Sequence, residues 1–397
     1  MTAADQTIVI AGAARTAIGN FQGAFTGVPS TELGSRAISS ALERAKVSPE
    51  AVDEVLMGCV LPAGLGQAPA RQAALGAGVP LAAGCATVNK VCGSGMKTVM
   101  LAHDAIKAGS ATTVVAGGME SMTNAPHMLP TGRSGIKFGH GQVLDHMAYD
   151  GLEDAYDRGK AMGVFAEKCA REWQFSREAQ DEYSVRSVTR AQSAIKDGSF
   201  KDEIVAVDVK GRRETVSVDT DEKPGLVNAD KIPSLRPAFE KDGTVTAGSS
   251  SAISDGAAAL IVTTAAEAEA KGYDVVARIV GHATHAQAPE WFTTAPVASI
   301  RALFEKTGWS ADDVDLFEVN EAFAVVPMAV MKEIGVPADK MNVNGGAVAL
   351  GHPIGASGAR IVVTLLHALK ARGLTKGVAS LCIGGGEATS LAVELMK

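Results

Sequence analysis

Short apolar runs alternate with longer stretches of helical periodicity toward both ends of the chain. Runs of β-branched and small apolar residues predict buried β-strands at Thr7–Ala11, Thr112–Ala116, Val314–Val319 and Gly377–Ile383. Apolar positions at helical spacing predict helices at Leu33–Lys46, Gly95–Ala108, Ile300–Thr307 and Ala359–Arg372. This alternation is typical of an α/β fold in which helices cover largely parallel sheets.

Two segments of the chain recur at nearly the same distance along it. Glu43–Asp53 is similar to Glu305–Asp315, and Ser94–Ala108 is similar to Ser357–Ala371. Two recurrences at one spacing indicate a duplicated architecture, because chance matches would fall at unrelated distances. We therefore predict two halves of similar fold, one near the start of the chain and one at its end.

The chain between the two halves is richer in charged residues, glycine and proline, and it predicts amphipathic helices at Met162–Glu172 and Arg177–Asp197. We interpret residues 122–248 as an inserted loop domain. Residues 1–121 with about 249–273 then form the N-terminal half, and residues 274–397 form the C-terminal half. A chain of 397 residues suits such a division, since single cores stop growing near ~250–300 residues.

The composition is that of an ordinary globular protein, with 46% hydrophobic and 20% charged residues. The net charge is −7, whereas nucleic-acid-binding proteins typically have an excess of basic residues, so no nucleic-acid partner is expected. No apolar run approaches the ~18–20 residues of a membrane span. The acidic Asp5 near the amino terminus is also unlike the basic start of a signal peptide, and we expect no membrane association.

Cysteine usage indicates a reducing compartment. The chain has five cysteines, an odd number, at Cys59, Cys85, Cys92, Cys169 and Cys382. Their spacing matches neither a metal site nor a disulfide framework, and a chain of this size needs no covalent crosslinks. We expect a cytoplasmic protein without a metal site, in which each cysteine is a small buried hydrophobe or a reactive thiol.

Cys92 lies just before the helix predicted to begin at Gly95. A thiol near a helix N-terminus feels the positive end of the helix dipole, which favours the thiolate form. Gly93 and Gly95 leave room for a substrate carbonyl and keep backbone N–H groups accessible. These features favour a nucleophilic cysteine, and the alternative is a structural cysteine beside a tight turn.

A glycine-rich loop from Gly345 to Gly358 opens the corresponding helix of the second half. It contains no Gly-Lys-Ser/Thr, so it is not a phosphate-binding P-loop. His352 in this loop is a candidate base for activating a thiol. Gly355 corresponds to Cys92 in the internal repeat, so pseudo-symmetry would bring the two loops together. The alternative for His352 is a surface or capping histidine.

Two further segments place polar groups at the ends of predicted strands. Cys382 ends the last strand and precedes the run Gly384–Gly386, which suits a ligand approached by the backbone. Asn320 and Glu321 follow another strand, and ligands of open α/β sheets bind at such carboxyl ends. The alternatives are a core cysteine and a helix N-cap.

Together these four segments resemble the signature set of the thiolase family, and the resemblance extends from Arg15–Gly19 to Cys382–Gly386. Among the branches of the family, the chain is most similar to the short-chain acetyl-CoA acetyltransferases. The resemblance implies a thiolase-like duplicated α/β fold, with two mixed sheets covered by helices and a loop domain inserted in the first half. It also implies a homotetramer built as a dimer of dimers.

The resemblance assigns a role to each polar group. Cys92 would be the nucleophile that becomes acetylated. His352 would raise the nucleophilicity of Cys92 and, with a water held by Asn320, form an oxyanion hole for the second acetyl-CoA. Cys382 would be the acid/base at the α-carbon of that acetyl-CoA. The backbone N–H groups of Cys92 and Gly384 would form a second oxyanion hole.

The reaction implied by the resemblance is the reversible Claisen condensation of two acetyl-CoA to acetoacetyl-CoA and CoA through an acetyl-cysteine. The coenzyme A thioesters are substrates, and no permanently bound cofactor is expected. By the same resemblance, the residues expected to contact coenzyme A and the acyl group are Ser251, Ala247, Phe239, Phe323 and Met162.

The chain departs from the family pattern in its expected pantetheine contacts. Ala161 stands where many short-chain thiolases have a histidine, and Gly248–Ser251 replaces Gly-Asn-Ala-Ser. Three alternatives stay open. They are a degradative 3-ketoacyl-CoA thiolase with a broader chain-length range, a ketosynthase acting on carrier protein, and an inactive coenzyme A-binding scaffold. A ketosynthase would normally show two catalytic histidines.

Overall fold

The computed structural model describes residues 7–211 and 213–396, so Asp5 lies outside the described residues. The first part of the chain contains β1 (Ile8–Thr16), β2 (Gly19–Asn20), α1 (Ser30–Ala45), β3 (Glu54–Gly58), α2 (Pro69–Gly76), β4 (Gly84–Val88), α3 (Ser94–Lys107) and β5 (Val114–Ser121). The inserted segment contains β6 (His127–Met128), β7 (Leu144–Asp145), α4 (Met162–Glu172), α5 (Arg177–Asp197), β8 (Ile204–Val205), β9 (Val207–Lys210), β10 (Thr215–Val218) and α6 (Glu222–Leu226).

The rest of the chain returns to the first half and then builds the second. The elements that complete the first half are β11 (Ser254–Thr264) and α7 (Ala265–Lys271). The second half contains β12 (Ala277–Ala286), α8 (Ala295–Thr307), β13 (Leu316–Val319), α9 (Val325–Ile334), α10 (Ala347–Leu350), α11 (Ile354–Arg372), β14 (Lys376–Ile383) and β15 (Glu387–Leu395).

The strands of both halves lie in one mixed sheet of order β13-β14-β15-β12-β1-β11-β5-β3-β4. The orders β1-β11-β5-β3 and β12-β15-β14-β13 correspond strand for strand. In each order the second strand is antiparallel to both neighbours and the last two strands are parallel. The predicted duplicated fold is therefore confirmed. The two expected mixed sheets are the halves of this sheet, and they are joined by a short pairing of Val9 and Ile10 with Arg278 and Ala277.

Helices α3 and α11 pack against each other in the centre of the protein. Gly95 and Gly358, which correspond in the internal repeat, allow this close approach. A Cβ at Gly95 would lie 2.7 Å from the backbone nitrogen of Ala359, and a Cβ at Gly358 would lie 2.3 Å from that of Met96. The absence of side chains at these glycines therefore brings together the first turns of both helices, and with them the loops that carry the candidate catalytic residues.

Gly95→Ala is expected to destabilise the protein by about 1–3 kcal/mol, because the new methyl group overlaps backbone that cannot rotate away. The measurement is the midpoint of thermal unfolding, compared with that of Gly225→Ala. Gly225 is the control because a Cβ there meets nothing within 4 Å. Equal midpoints for the two variants would contradict the close packing of α3 and α11.

The inserted segment is anchored to the first strand by buried charge. The Arg15 guanidinium lies 2.5 Å from a carboxylate oxygen of Glu203 and 2.7 Å from one of Asp221, and all three side chains are fully buried. Next to this cluster, β8 pairs in parallel with β1. Removing one partner from such a cluster would leave an uncompensated buried charge, so the cluster holds the inserted segment in a defined position.

One helix among the described residues, α11, is long and apolar enough to cross a membrane by length and composition alone. The sequence-based expectation was that no apolar run reaches this length. Of the most apolar window of α11, 83% is buried inside the protein, which is the environment of a core helix.

Candidate active site

A cavity of about 290 Å³ lies beside the N-terminal ends of α3 and α11. Both halves and the inserted segment contribute to its mostly apolar wall. The lining residues are Cys92, Met122, Gly151, Leu152, Ala161, Met162, Gly163, Phe239, Ser250, Ser251, Ala252, Ile253, Phe292, Ala322, Phe323, His352, Ile354 and Gly384. The cavity therefore brings together residues from four predicted motifs that are far apart in the sequence.

Three predicted site residues do not line this cavity. Asn320 and Cys382 are fully buried at the carboxyl ends of the adjacent parallel strands β13 and β14, where Asn320 neighbours His352 and Cys382 neighbours Cys92. Ala247 is exposed and is not one of the residues that line the cavity. Its neighbour in sequence, Thr246, is buried and holds the turn by hydrogen bonds to Ser249.

The backbone before Cys92 adopts a strained conformation. Val91 has φ of +46°, although the left-handed region is unfavourable for a β-branched residue. The hydroxyl of Ser94 stabilises this turn, because it donates to the Val91 carbonyl at 2.6 Å and accepts from the Lys90 N–H at 2.9 Å. The turn directs the Cys92 side chain to the cavity just before α3 begins. Strain of this kind is often found at functional sites.

The Cys92 thiol is neutral in the resting protein. Burial raises its pKa to about 11, and the backbone N–H of Gly384, which hydrogen-bonds to the thiol, offsets only part of this effect. The sequence indicates a helix dipole that favours the thiolate, and burial acts in the opposite direction by removing the hydration of the charged form. The thiol needs a base to become a nucleophile.

His352 is the group that can act as this base. It is buried, and burial lowers its pKa to about 3, so the imidazole is neutral near pH 7. Its Nδ1 lies 2.5 Å from the Ser357 hydroxyl, which itself donates to the Pro353 carbonyl at 2.9 Å. The hydroxyl must therefore accept from Nδ1–H, which leaves the lone pair of Nε2 available to take a proton.

Asn320 provides an unused acceptor beside this imidazole. Its Nδ2 lies 3.4 Å from Nε2 of His352. Its Oδ1 is buried and has no hydrogen-bond partner in the described part of the chain. A buried amide oxygen without a partner is costly, so this atom is suited to binding a water or a substrate group.

Cys382 lies in β14, where it pairs with Ala388 of β15. Its thiol is fully buried, and burial, together with the proximity of Cys92, raises its pKa well above the usual value. The two cysteines are therefore close enough to influence each other. Both carry their protons in the resting state.

Glu321 has a structural role, whereas Asn320, the residue before it, lies beside the His352 imidazole. Its buried carboxylate accepts hydrogen bonds from the Tyr183 hydroxyl at 2.8 Å and the Ser187 hydroxyl at 2.7 Å, both in α5. It also accepts from the backbone N–H of Val348 at 3.0 Å. Glu321 thus connects the inserted segment to the loop that carries His352, and it does not line the cavity.

The sequence-based predictions missed Glu120, which also binds the loop that carries His352. The carboxylate accepts from the N–H groups of Val60 at 3.0 Å, Leu61 at 3.2 Å and Gly355 at 2.8 Å. Burial raises its pKa to about 7, because these hydrogen bonds replace its hydration only in part. A glutamate at the end of the apolar run that forms β5 was the available signal.

Four of the five predicted contacts to coenzyme A and the acyl group line the cavity. Phe239 and Phe323 pack edge to face with ring centroids 5.8 Å apart, and Ser251 and Met162 also line the wall. Ala161 lines it as well, at the position where a histidine was expected, and offers only a methyl group. The wall therefore has fewer polar groups than the family pattern implies.

Comparison of the sequence with models of known protein families identifies the family to which this cavity belongs. The family models "Thiolase, N-terminal domain" and "Thiolase, C-terminal domain" match residues 8–266 and 273–395. The chain is a member of the thiolase family. The two matched regions follow the two halves of the fold.

The relatives of this thiolase include two named acetyl-CoA acetyltransferases. The enzyme named acetyl-CoA acetyltransferase 2 from Arabidopsis thaliana is 51% identical, over 98% of this chain and 97% of its own. Acetyl-CoA acetyltransferase from Rhizobium meliloti (strain 1021) is 50% identical, over 98% of both chains.

Solved structures agree with this assignment of the fold. The acetyl-CoA acetyltransferase of Bacillus anthracis superposes with a TM-score of 0.96 at 42% identity, over the whole of both chains. A thiolase from Ascaris suum, solved in complex with coenzyme A, superposes with a TM-score of 0.93 at 39% identity, over 98% of this chain and 100% of its own.

Alkylation of Cys92 by iodoacetamide in this thiolase is expected to accelerate about tenfold per pH unit from pH 7 to 9. With a pKa of about 11, the thiol stays mostly protonated over this interval, and the reactive thiolate fraction rises with every unit. The measurement is the rate of modification of the Cys92 peptide by mass spectrometry. Free glutathione in the same tube is the control, because an ordinary thiol levels off near ~8.5. A rate for Cys92 that stays flat from pH 6 to 9 would instead indicate a preformed thiolate.

Proposed function

We propose that this thiolase is an acetyl-CoA C-acetyltransferase, which condenses two acetyl-CoA to acetoacetyl-CoA and CoA. The observation that carries the proposal is one cavity at which the Cys92 thiol, the Gly384 N–H and the His352 imidazole meet. The names of relatives that are 51% and 50% identical over nearly the whole chain support acetyl-CoA as the substrate. The cavity volume also supports a short acyl group, because it is near the lower end of the ~300–1,000 Å³ range of small-molecule sites.

In the first half-reaction, Nε2 of His352 takes the proton of the Cys92 thiol as the sulfur attacks the thioester carbonyl of acetyl-CoA. The carbonyl oxygen becomes negatively charged during this attack, and it accepts hydrogen bonds from the N–H groups of Cys92 and Gly384. The bond from the carbonyl carbon to the sulfur of coenzyme A then breaks, and the Cys382 thiol protonates the departing thiolate. The products are acetyl-Cys92 and free CoA, with an imidazolium and a Cys382 thiolate that stabilise each other.

In the second half-reaction, the Cys382 thiolate removes an α-proton from a second acetyl-CoA. The enolate oxygen accepts hydrogen bonds from Nε2–H of His352 and from a water that donates its other proton to Oδ1 of Asn320. The α-carbon attacks the acetyl group, the bond to the Cys92 sulfur breaks, and His352 returns its proton to that sulfur. All three side chains are again neutral, which matches their resting pKa values.

Thiolysis of 3-ketoacyl-CoAs of increasing chain length tests the substrate. We expect the highest kcat/KM with acetoacetyl-CoA and a steep decrease as the acyl chain grows. A kcat/KM that rises with chain length would favour the degradative 3-ketoacyl-CoA thiolase. Incubation with labelled acetyl-CoA separates an enzyme from an inactive scaffold, because only an enzyme would carry the label on Cys92.

We further propose a cytoplasmic homotetramer. The five free cysteines support a reducing compartment. Exposed apolar side chains in the inserted segment support self-association, and they are Leu129, Ile136, Phe138 and Val143. Light scattering after size-exclusion chromatography measures the assembly. A monomeric mass at working concentration would exclude the tetramer.

A further inference from the structure

His103, Asp104 and His282 form a cluster of ligand-type side chains away from the cavity. Nδ1 of His103 lies 3.0 Å from Oδ1 of Asp104, and Nε2 of His282 lies 2.9 Å from the same oxygen. The two imidazole rings are edge to face, with centroids 5.0 Å apart. All three potential ligand atoms lie within 4.8 Å of one another. The cluster therefore places two imidazole nitrogens around one carboxylate.

This arrangement is close to the geometry that a tetrahedral metal ion needs. Bonds of roughly 2.0–2.1 Å to nitrogen and oxygen separate neighbouring ligands by roughly 3.3 Å. The two observed separations are only slightly shorter, so small rotations of the side chains would open room for an ion. Two imidazoles and a carboxylate favour Zn²⁺ and chemically similar ions over Mg²⁺ or Ca²⁺, which prefer ligand sets made of oxygen.

The burial of the two imidazoles favours a defined ion-binding site over nonspecific association of an ion with the surface. The His103 and His282 side chains are 17% and 15% exposed, so their positions are largely set by packing. The Asp104 side chain is 53% exposed, so solvent reaches the cluster and can supply a water as fourth ligand. The Lys306 ammonium donates to the backbone carbonyl of His282 at 3.0 Å. This nearby positive charge limits the expected affinity.

The cluster connects the two halves of the fold. His103 and Asp104 lie in the last turns of α3, whereas His282 lies in β12. The N-terminal end of the same helix follows Cys92. An ion bound at the far end would therefore clamp the helix that presents the nucleophile to the sheet of the second half.

We propose that His103, Asp104 and His282 form a binding site for a Zn²⁺-type divalent ion that clamps α3 to β12. The sequence predicted no metal site, because these ligands come from distant segments and have no diagnostic spacing. The site is independent of the proposed acyl-transfer function, since none of its residues lines the cavity.

Titration of the full-length, chelator-treated enzyme with Co²⁺ tests the proposal, because the optical spectrum of Co²⁺ reports its ligands. We expect one ion per chain, visible d–d bands of a tetrahedral nitrogen and oxygen site, and no sulfur-to-cobalt charge-transfer band. His103→Ala, Asp104→Asn and His282→Ala should each weaken binding at least about tenfold, because the effect of losing a ligand should at least equal that of losing an outer-shell partner. His140→Asn is the matched control, since His140 is exposed and outside the cluster.

Zn²⁺ provides a second readout through folding stability. Saturating Zn²⁺ should raise the midpoint of thermal unfolding of the wild type and of His140→Asn, and should not raise that of the three cluster variants. Unfolding midpoints without metal check that the variants are folded. The proposal is overturned if any cluster variant keeps wild-type Co²⁺ affinity or if the wild type binds no ion. A charge-transfer band that disappears in Cys92→Ala would also overturn it, since the ion would then be on the cysteines.

Discussion

Cys92→Ala is expected to abolish acetyl-enzyme formation and to lower kcat for thiolysis by at least about 10⁴-fold. The variant removes the atom that carries the acetyl group, and Cys92 is the only cysteine among the described residues that line the cavity. The measurements are transfer of label from acetyl-CoA to the protein and the rate of acetoacetyl-CoA thiolysis. The fold should persist, because the strained turn depends on Val91 and Ser94 and not on the thiol.

Cys85→Ala is the matched control for this variant. Cys85 lies in β4, is partly exposed and does not line the cavity, so its loss should leave labelling and turnover near the wild-type level. The assignment of Cys92 is wrong if Cys92→Ala turns over normally while Cys382→Ala can no longer be acetylated. That result would exchange the roles of the two cysteines.

Cys382→Ser is expected to separate the two half-reactions. The Cys92 nucleophile and its turn are intact in this variant, so a single acetylation of Cys92 should still occur, although the departing CoA thiolate must take its proton from water or His352. Condensation should stall, because a serine hydroxyl is far too weak an acid to provide the base form near neutral pH. The acetyl-enzyme should accumulate, and exchange of the acetyl-CoA methyl protons with solvent should slow by about 10²–10⁴-fold, the usual contribution of acid–base catalysis.

Cys169→Ser controls for placing a hydroxyl in a buried thiol position. Cys169 is buried in α4, in the same core cluster as Cys382, but does not line the cavity, and burial likewise raises its pKa to about 11. The Cys169→Ser variant should be less stable than the wild type but should exchange the methyl protons of acetyl-CoA with solvent at the wild-type rate. Wild-type exchange in Cys382→Ser would remove Cys382 from the mechanism, and His352 would become the first candidate for the base.

The sequence predicted the exact first and last residues of two helices whose ends have strong local signals. The helices Met162–Glu172 and Arg177–Asp197 have the predicted bounds. The second begins after Ser176, whose hydroxyl accepts from the N–H of Ala179, and ends at Gly198 in the left-handed conformation. These end signals are local, so the sequence contains them in full.

Elements that depend on packing were predicted less well. Helix α11 begins at Ile354 instead of Ala359, because glycine and serine in its first turn lower helix propensity and only the contact with α3 compensates. Strand β11 was not predicted, since Ser254–Thr264 is buried almost throughout and shows no alternation of apolar and polar positions. The position of β12 beside β1 was equally invisible in the sequence.

The sequence by itself determined the duplicated fold and the candidate residues Cys92, His352, Cys382 and Asn320. Internal repetition and glycine spacing are properties of the chain, and pseudo-symmetry follows from them. Only the tertiary structure decided the resting protonation states, because the pKa of Cys92 depends on how completely distant segments exclude water from the thiol. The contacts of Glu120 and the cluster of His103, Asp104 and His282 also depend on the packing of distant segments. Packing decides which side chains of the two halves lie close together, and the sequence alone does not show this.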